Sequence, residues 1–278
     1  MPGSWENICP GSAIYKIMIR AVFLDIDGTL ISTKTHRPAP GTNRALLAAK
    51  EKGILLFLAT GRHLAVPEEG YVLDLLPDCF DGSVALTGHY CCTRDGTVLL
   101  KQPLHPEDVR MVKELAARHE IPYTYTYEKE LYINLINKRV REHNKNIGLP
   151  IPAVREMDCG REVFSITLYV DEKTEREVLR PALRHSETIS WISGITDVCG
   201  KGGGKKAGIR AVMQHFGLSS GEIMAVGDSN NDLSMMEEAG VAVSLGNGTK
   251  ELKEAADYIA ASCEEDGILD AFSHYHLI

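Results

Sequence analysis

Ala21-Val-Phe-Leu-Asp25-Ile-Asp27-Gly28-Thr29 is where regular structure first becomes legible in this chain. Its apolar head, Ala21 to Ile26, is almost unbroken, which suits a strand buried on both faces of a parallel sheet. It ends on two carboxylates and an Asp-Gly turn. Downstream, a helical pattern over about 41–52 is closed by Gly53. A second unbroken run, Ile54-Leu-Leu-Phe-Leu-Ala59, stops at Thr60-Gly61-Arg62. A helix over about 64–75 and a short strand, Ser83-Val-Ala-Leu86, follow. Strands and helices alternating at this spacing predict parallel βαβ units.

The texture changes between about 88 and 193. Ser165-Ile-Thr-Leu-Tyr-Val170 alternates, putting Ile166, Leu168 and Val170 on one face, as in a half-solvated antiparallel strand. A helix over about 105–119 carries Val109, Val112 and Ala116 on one side, and Tyr123-Thr-Tyr-Thr-Tyr127 reads as another strand. This stretch has the pattern of a separate α+β module. After Gly200 the first texture returns. Ile209, Val212, Met213 and Phe216 recur at helical spacing before Gly217. Strands at Ile223–Val226, Val241–Val243 and Tyr258–Ala260 then alternate with helices at about 231–238 and 249–255. The chain therefore reads as a parallel α/β core in two pieces, 18–86 and 194–278, with a module at 87–193 between them.

Composition agrees with a folded protein of this size. At roughly 150 residues per domain, 278 residues suit about two domains, and 44% apolar content supplies a core. Thirty Lys and Arg against 38 Asp and Glu give a net charge of −8, against a sequence-independent nucleic-acid binder. No run reaches the roughly 18 apolar residues of a membrane-spanning helix. Residues 1–17 lack the basic and apolar segments of a signal peptide and read as a frayed extension ahead of Met18. Seven cysteines, an odd number with no C-x-x-C, suit reduced thiols in the cytoplasm. The ten histidines form no H-E-x-x-H pair.

Polar clusters sit just past the expected strand ends: Asp25-x-Asp27-Gly28-Thr29, Thr60-Gly61-Arg62 and Gly227-Asp228-x-x-Asn231-Asp232. Lys205 joins them behind a glycine-rich turn. Ligand sites of open parallel sheets form beyond the carboxyl ends of the strands, so the clusters point to one crevice. Asp25, Asp27, Asp228 and Asp232 would crowd negative charge there, which is unstable without a cation, and hard oxygen donors select Mg²⁺. Each piece has a plainer reading: an Asp-Gly turn, a Thr60 helix cap, a solvated lysine. Neither an EF-hand nor a Walker loop fits. The closing Glu of the first is missing, and Cys199 and Lys206 stand where the second requires Gly and Ser or Thr.

Together these motifs resemble the haloacid dehalogenase superfamily, in particular its Cof-type, sugar-phosphatase-like branch. The resemblance runs from about residue 20 to the tail motifs Gly246-Asn247, Ala256-Asp257-Tyr258 and Glu265-Asp-Gly267-Ile268. It implies a Rossmann-like core with a parallel sheet and an inserted α/β cap. It also implies hydrolysis of small phosphomonoesters, sugar phosphates foremost, with Asp25 as the nucleophile that forms an aspartyl-phosphate and Asp27 as general acid and then base. Mg²⁺ would be held by Asp25, the Asp27 backbone carbonyl and Asp228, with Asp232 behind them. Thr60, the Gly61 N–H, Lys205 and Asn231 would hold the phosphoryl oxygens. The chain departs from the branch at Thr87-Gly88, where Asn-Gly is usual, and at Lys206, where Gly is common.

The expected protein is thus a cytoplasmic, monomeric phosphatase of a small phosphorylated metabolite, with no nucleic-acid or membrane partner. Two other enzymes fit the same residues: a sugar phosphomutase and a phosphatase of pyridoxal phosphate or flavin mononucleotide. A non-enzymatic binding protein fits poorly, since the nucleophile and the acid are both present.

Overall fold

The computed structural model describes residues 18–147, 149–202 and 204–278; the extension at 1–17 lies outside them. The chain opens with β1 (Ala21–Leu24), α1 (Thr42–Glu51), β2 (Leu55–Ala59), α2 (Pro67–Gly70), β3 (Gly82–Ala85), β4 (Tyr90–Thr93) and β5 (Val98–Lys101). Next come α3 (Pro106–His119), β6 (Tyr123–Tyr127), β7 (Glu130–Ile133), α4 (Lys138–Ile147), β8 (Ser165–Leu168), α5 (Glu172–Thr174), β9 (Ser186–Ile192) and β10 (Ile195–Gly200). It closes with α6 (Lys205–Phe216), β11 (Ile223–Gly227), α7 (Leu233–Met236), β12 (Val241–Ser244), α8 (Lys250–Ala255), β13 (Tyr258–Ile259) and α9 (Gly267–His274).

Two sheets result. The first has the order β13-β12-β11-β1-β2-β3-β4-β5, and the second β7-β6-β8-β10-β9. In the first, β1 pairs in parallel with both β2 and β11, so Phe23 lies opposite Phe57 and Ala225. Chain order reverses at β1, and the crevice of a doubly wound sheet opens at that switch. Both faces of β1 are buried, as its unbroken apolar run requires. Val22 and Leu24 join one core with Leu46, Ala271 and Phe272 of α1 and α9. Ala21 and Phe23 join the other with Ile209 and Val212 of α6 and Leu252 of α8. The fold is mixed α/β, dominated by parallel pairing.

Two expectations need correction. The parallel sheet carries an antiparallel edge: β4 pairs with β3 (Ser83 opposite Cys92) and β5 with β4. Their four-residue lengths and partly exposed side chains gave no unbroken apolar run to read. A single helix over 64–75 does not form. Val66, before Pro67, is extended, and proline's ring disfavours helix at the preceding residue. Only the short α2 and a 3-10 turn at Tyr71–Leu75 follow.

The second sheet is antiparallel throughout. Its Tyr125, Ile166, Leu168 and Val198 pack with Val109 and Val112 of α3 in a core of their own. Two connections join the sheets, and the one between β10 and α6 passes, at Gly204, against Gly88 in the turn between β3 and β4. The φ of Gly88 is +90°, rarely open to side chains, and an added Cβ would lie 2.0 Å from the Gly204 carbonyl oxygen. Gly88→Ala therefore adds both backbone strain and a clash, together on the order of 2–5 kcal/mol. Thermal denaturation should show the loss; an unchanged midpoint would mean that the β3–β4 turn and the β10–α6 connection do not meet there. Among the described residues no helix is long and apolar enough to cross a membrane.

Candidate active site

Each polar cluster leaves the carboxyl end of a strand at the switch. Asp25 follows β1, and its N–H donates to the Val226 carbonyl of β11 at 3.1 Å. Thr60 follows β2 and Asp228 follows β11. Lys205 is the first residue of α6 and is completely buried. Its Nζ donates to Asp25 Oδ1 and to Asp232 Oδ1, each at 2.5 Å. Asp232 is equally buried, and its other oxygen accepts the N–H groups of Asp228 and Ser229, both at 3.0 Å. This explains why the helix expected over 231–238 starts as a 3-10 turn at Asn230–Asp232: its acid folds back to cap the turn.

Asp228 accepts the Thr29 hydroxyl at 3.1 Å. Asn247 ties the tail to this loop: its Nδ2 donates to the Gly28 carbonyl at 2.8 Å, and its Oδ1 accepts the Cys263 N–H at 2.8 Å. Gly28 has φ +87°, and a Cβ there would lie 2.1 Å from Asp228 Oδ2, so only glycine lets the two loops close up.

Carboxylate oxygens of Asp25, Asp228 and Asp232 lie within 4.8 Å of one another. Burial pushes the Asp25 carboxyl up to about 7, against the pull of Lys205 and with help from Asp232 and Asp27. Burial, then the charges of Asp25 and Asp232, push Asp228 up to about 8. Burial also opposes the Lys205 charge, but Asp232 and Asp25 outweigh it and hold the ammonium firmly protonated. One cation thus serves three carboxylates. The donor set and its excess charge fit a hard divalent ion such as Mg²⁺.

The other expected residues take different positions. Asp27 turns aside into a two-pronged pair with Arg62, whose Nε and Nη2 donate to its two oxygens at 2.6 Å each. Arg62 also donates to the Glu69 carbonyl at 3.3 Å and lies 5.6 Å from the Tyr71 ring centroid. Sequence spacing gave no sign of this clamp, because nothing in it links Arg62, of the Thr60-Gly61-Arg62 cluster, to Asp27 35 residues earlier. Thr60 is buried and its hydroxyl accepts the Arg62 N–H at 3.1 Å, a local turn and not the cap of a long helix. Gly61 is half-buried beside Thr87, whose φ of +53° is a conformation that Asn, usual here in the branch, accepts more readily. Asn231 is half-buried and accepts the Ser229 hydroxyl at 2.7 Å. Lys206 pairs with Glu237 and Glu238 at 3.0 and 3.1 Å, away from the site. A further group unseen in the spacing of the histidines, His105, Glu107 and His185, brings possible ligand atoms within 4.8 Å in the second module.

Comparison with known proteins follows the same lines. A family model for haloacid dehalogenase-like hydrolases matches residues 22–272. A Streptococcus pyogenes protein named for phosphatase and peptidyl-prolyl cis-trans isomerase functions is 30% identical over 261 residues, covering 94% of this chain; the chain spans only 54% of that protein's length. The Bacillus subtilis 5-amino-6-(5-phospho-D-ribitylamino)uracil phosphatase YcsE is 25% identical over 93% of this chain and 96% of its own. A solved structure described as a HAD subclass IIB sugar phosphatase superposes with a TM-score of 0.85 at 32% identity, covering 93% of this chain and all of that one.

Proposed function

The chain belongs to the haloacid dehalogenase-like hydrolases, and we propose that within that family it is a Mg²⁺-dependent phosphatase of small phosphomonoesters, sugar phosphates foremost. The observation that carries this reading is the convergence of Asp25, Asp228, Asp232 and Lys205 at the sheet's switch point. Asp25, Asp228 and the Asp27 backbone carbonyl would hold the ion, with Asp232 behind them. When bound, it would offset the negative charge shared by the carboxylates and a phosphoryl group.

Asp25 attacks phosphorus and the bond to the leaving oxygen breaks, while Asp27 gives that oxygen its proton. The aspartyl-phosphate is then cleaved by water, whose proton Asp27 takes back, and phosphate leaves with Asp25 restored. Thr60, the Gly61 N–H, Lys205 and Asn231 hold the phosphoryl oxygens during both transfers. Asp27 must let go of Arg62 to reach the leaving oxygen, because the guanidinium holds both of its oxygens. The antiparallel module serves as the cap that excludes bulk water and reads the substrate.

The test is phosphate release from a panel of small phosphomonoesters. EDTA should abolish turnover and added Mg²⁺ should restore it. Undiminished turnover in EDTA would overturn the metal assignment. An isomerised sugar phosphate in place of free phosphate would favour a mutase.

A further inference from the structure

We propose that His105, Glu107 and His185 form a second cation site, one for a divalent transition metal of the Zn²⁺ class, where the antiparallel module joins the first sheet. One ligand atom from each lies within 4.8 Å of the other two. His105 is the N-cap of α3, and Glu107 stands in its first turn. His185 comes from the far end of the module, just before β9. Its ring stacks on that of His105 with centroids 3.6 Å apart, and its Nε2 lies 3.4 Å from Glu107 Oε2. The other Glu107 oxygen pairs with Arg184 at 3.0 Å, so one oxygen is held and the second faces the His185 imidazole.

Asp108 holds the two segments in place. Its carboxylate is buried, and its oxygens accept the N–H groups of Arg184 and His185 at 3.0 and 2.9 Å. That pair of bonds sets the second histidine against the start of α3, as partners behind a ligand do in metal sites. The position in the fold matters as well. Residues 102–105 carry the chain from β5 into α3, and Lys201 leads it back from β10 toward α6. Lys201 donates its N–H to the His185 carbonyl at 2.9 Å and its Nζ to the Arg184 carbonyl at 2.7 Å. An ion held by His105 and His185 would therefore fasten both connections together. A cavity of about 660 Å³ runs alongside, lined by Gln102, His105, His185, Gly200 and Lys201, and gives an ion its way in.

The donor set differs from that of the acidic crevice. Imidazole nitrogens suit Zn²⁺, Ni²⁺ or Cu²⁺, whereas the carboxylates of Asp25, Asp228 and Asp232 suit Mg²⁺. Two histidines and a glutamate fill three of the four positions that Zn²⁺ takes, which leaves the fourth to water. His105 Nδ1 accepts the Glu107 N–H at 3.3 Å, longer than a usual amide hydrogen bond, so little is lost when a ring nitrogen turns to a metal. Charge alone would not draw a hard cation here. Arg184 and Lys201 stand against Glu107 and Asp108, and the positive end of the α3 dipole adds to the first pair. Affinity must come from the imidazoles, and Mg²⁺ should not compete.

The test is a Zn²⁺ titration of the whole protein in excess Mg²⁺, in competition with a chromophoric chelator. Wild type should bind one Zn²⁺ per chain with micromolar or tighter affinity. His105→Ala and His185→Ala should each weaken it about 100-fold or more, since partners one step behind a ligand already reach that loss. Both histidines are exposed, so folding should survive; circular dichroism checks this, and His185→Gln gives the same readout with a milder change. Asp228→Asn should bind Zn²⁺ as wild type does. At about 100 times its Kd, Zn²⁺ should raise the wild-type melting midpoint by about 5–10 °C and leave that of His185→Ala in place. Millimolar or absent binding, or binding unchanged in both histidine variants, overturns the site. Zn²⁺ lost in Asp228→Asn but kept in His185→Ala would put the ion in the acidic crevice and overturn it too. None of these measurements needs phosphate release, so the phosphatase proposal stands or falls separately.

Discussion

Asp25→Asn is expected to leave a folded protein with essentially no turnover, down by about 10⁴-fold or more. The amide keeps the carboxylate's shape and an oxygen to accept from Lys205, which retains Asp232 as its charged partner at 2.5 Å. Folding should not suffer. Burial already works against a charged Asp25, so a neutral amide there relieves three carboxylates that share one lysine. The melting temperature should match or exceed that of wild type. Activity should not survive, because an amide oxygen is too weak a nucleophile to open the aspartyl-phosphate route. Both readings matter: circular dichroism with temperature, and phosphate release under single-turnover conditions. A folded Asn variant that retains a tenth of wild-type turnover would take the nucleophile's role away from Asp25.

What could be read in the sequence follows the range of the interactions involved. Asp25, Asp228 and the glycines beside them belong to short motifs at strand ends, where the local pattern alone singles them out, and the parallel sheet brings those ends together. The unbroken apolar runs of β1 and β2 mark strands packed on both faces. Properties that depend on contacts between distant segments were not legible. β4 and β5 are too short and too exposed to show a period, so their place on the first sheet emerges only from pairing with β3. The break in the expected helix at 64–75 was written in Pro67, though its cost falls on Val66, one residue earlier. Arg62 is 35 residues from the Asp27 it holds, and Asp197 meets Thr167 across 30. No spacing rule links either pair. Lys205 is the sharpest case: as a lone lysine behind glycines it reads as a solvated charge, yet it is completely buried between two acids.

That burial makes Lys205→Met the largest expected loss of stability. The ammonium is the only cation within hydrogen-bond reach of Asp25 and Asp232 among the described contacts, at 2.5 Å from each. Methionine fills the volume but strands two carboxylates away from water. Breaking a buried ion pair from one side costs about 3–5 kcal/mol, far more than the pair itself contributes. For a chain of this size each kcal/mol moves the melting point by roughly 2–4 °C, so a drop of about 6–20 °C should be measured. A second substitution separates lost charge balance from lost packing. In Lys205→Met with Asp232→Asn, one of the stranded charges is gone, while an amide oxygen remains to accept the Asp228 and Ser229 N–H groups. If charge is the cause, the double variant should melt above the single one, a coupling that a packing defect would not produce. Turnover should stay lost in both, since neither restores a cation beside the phosphoryl oxygens. A Lys205→Met protein as stable as wild type would show that Asp25 and Asp232 do not need this counter-charge, and one with normal turnover would remove Lys205 from the phosphoryl site.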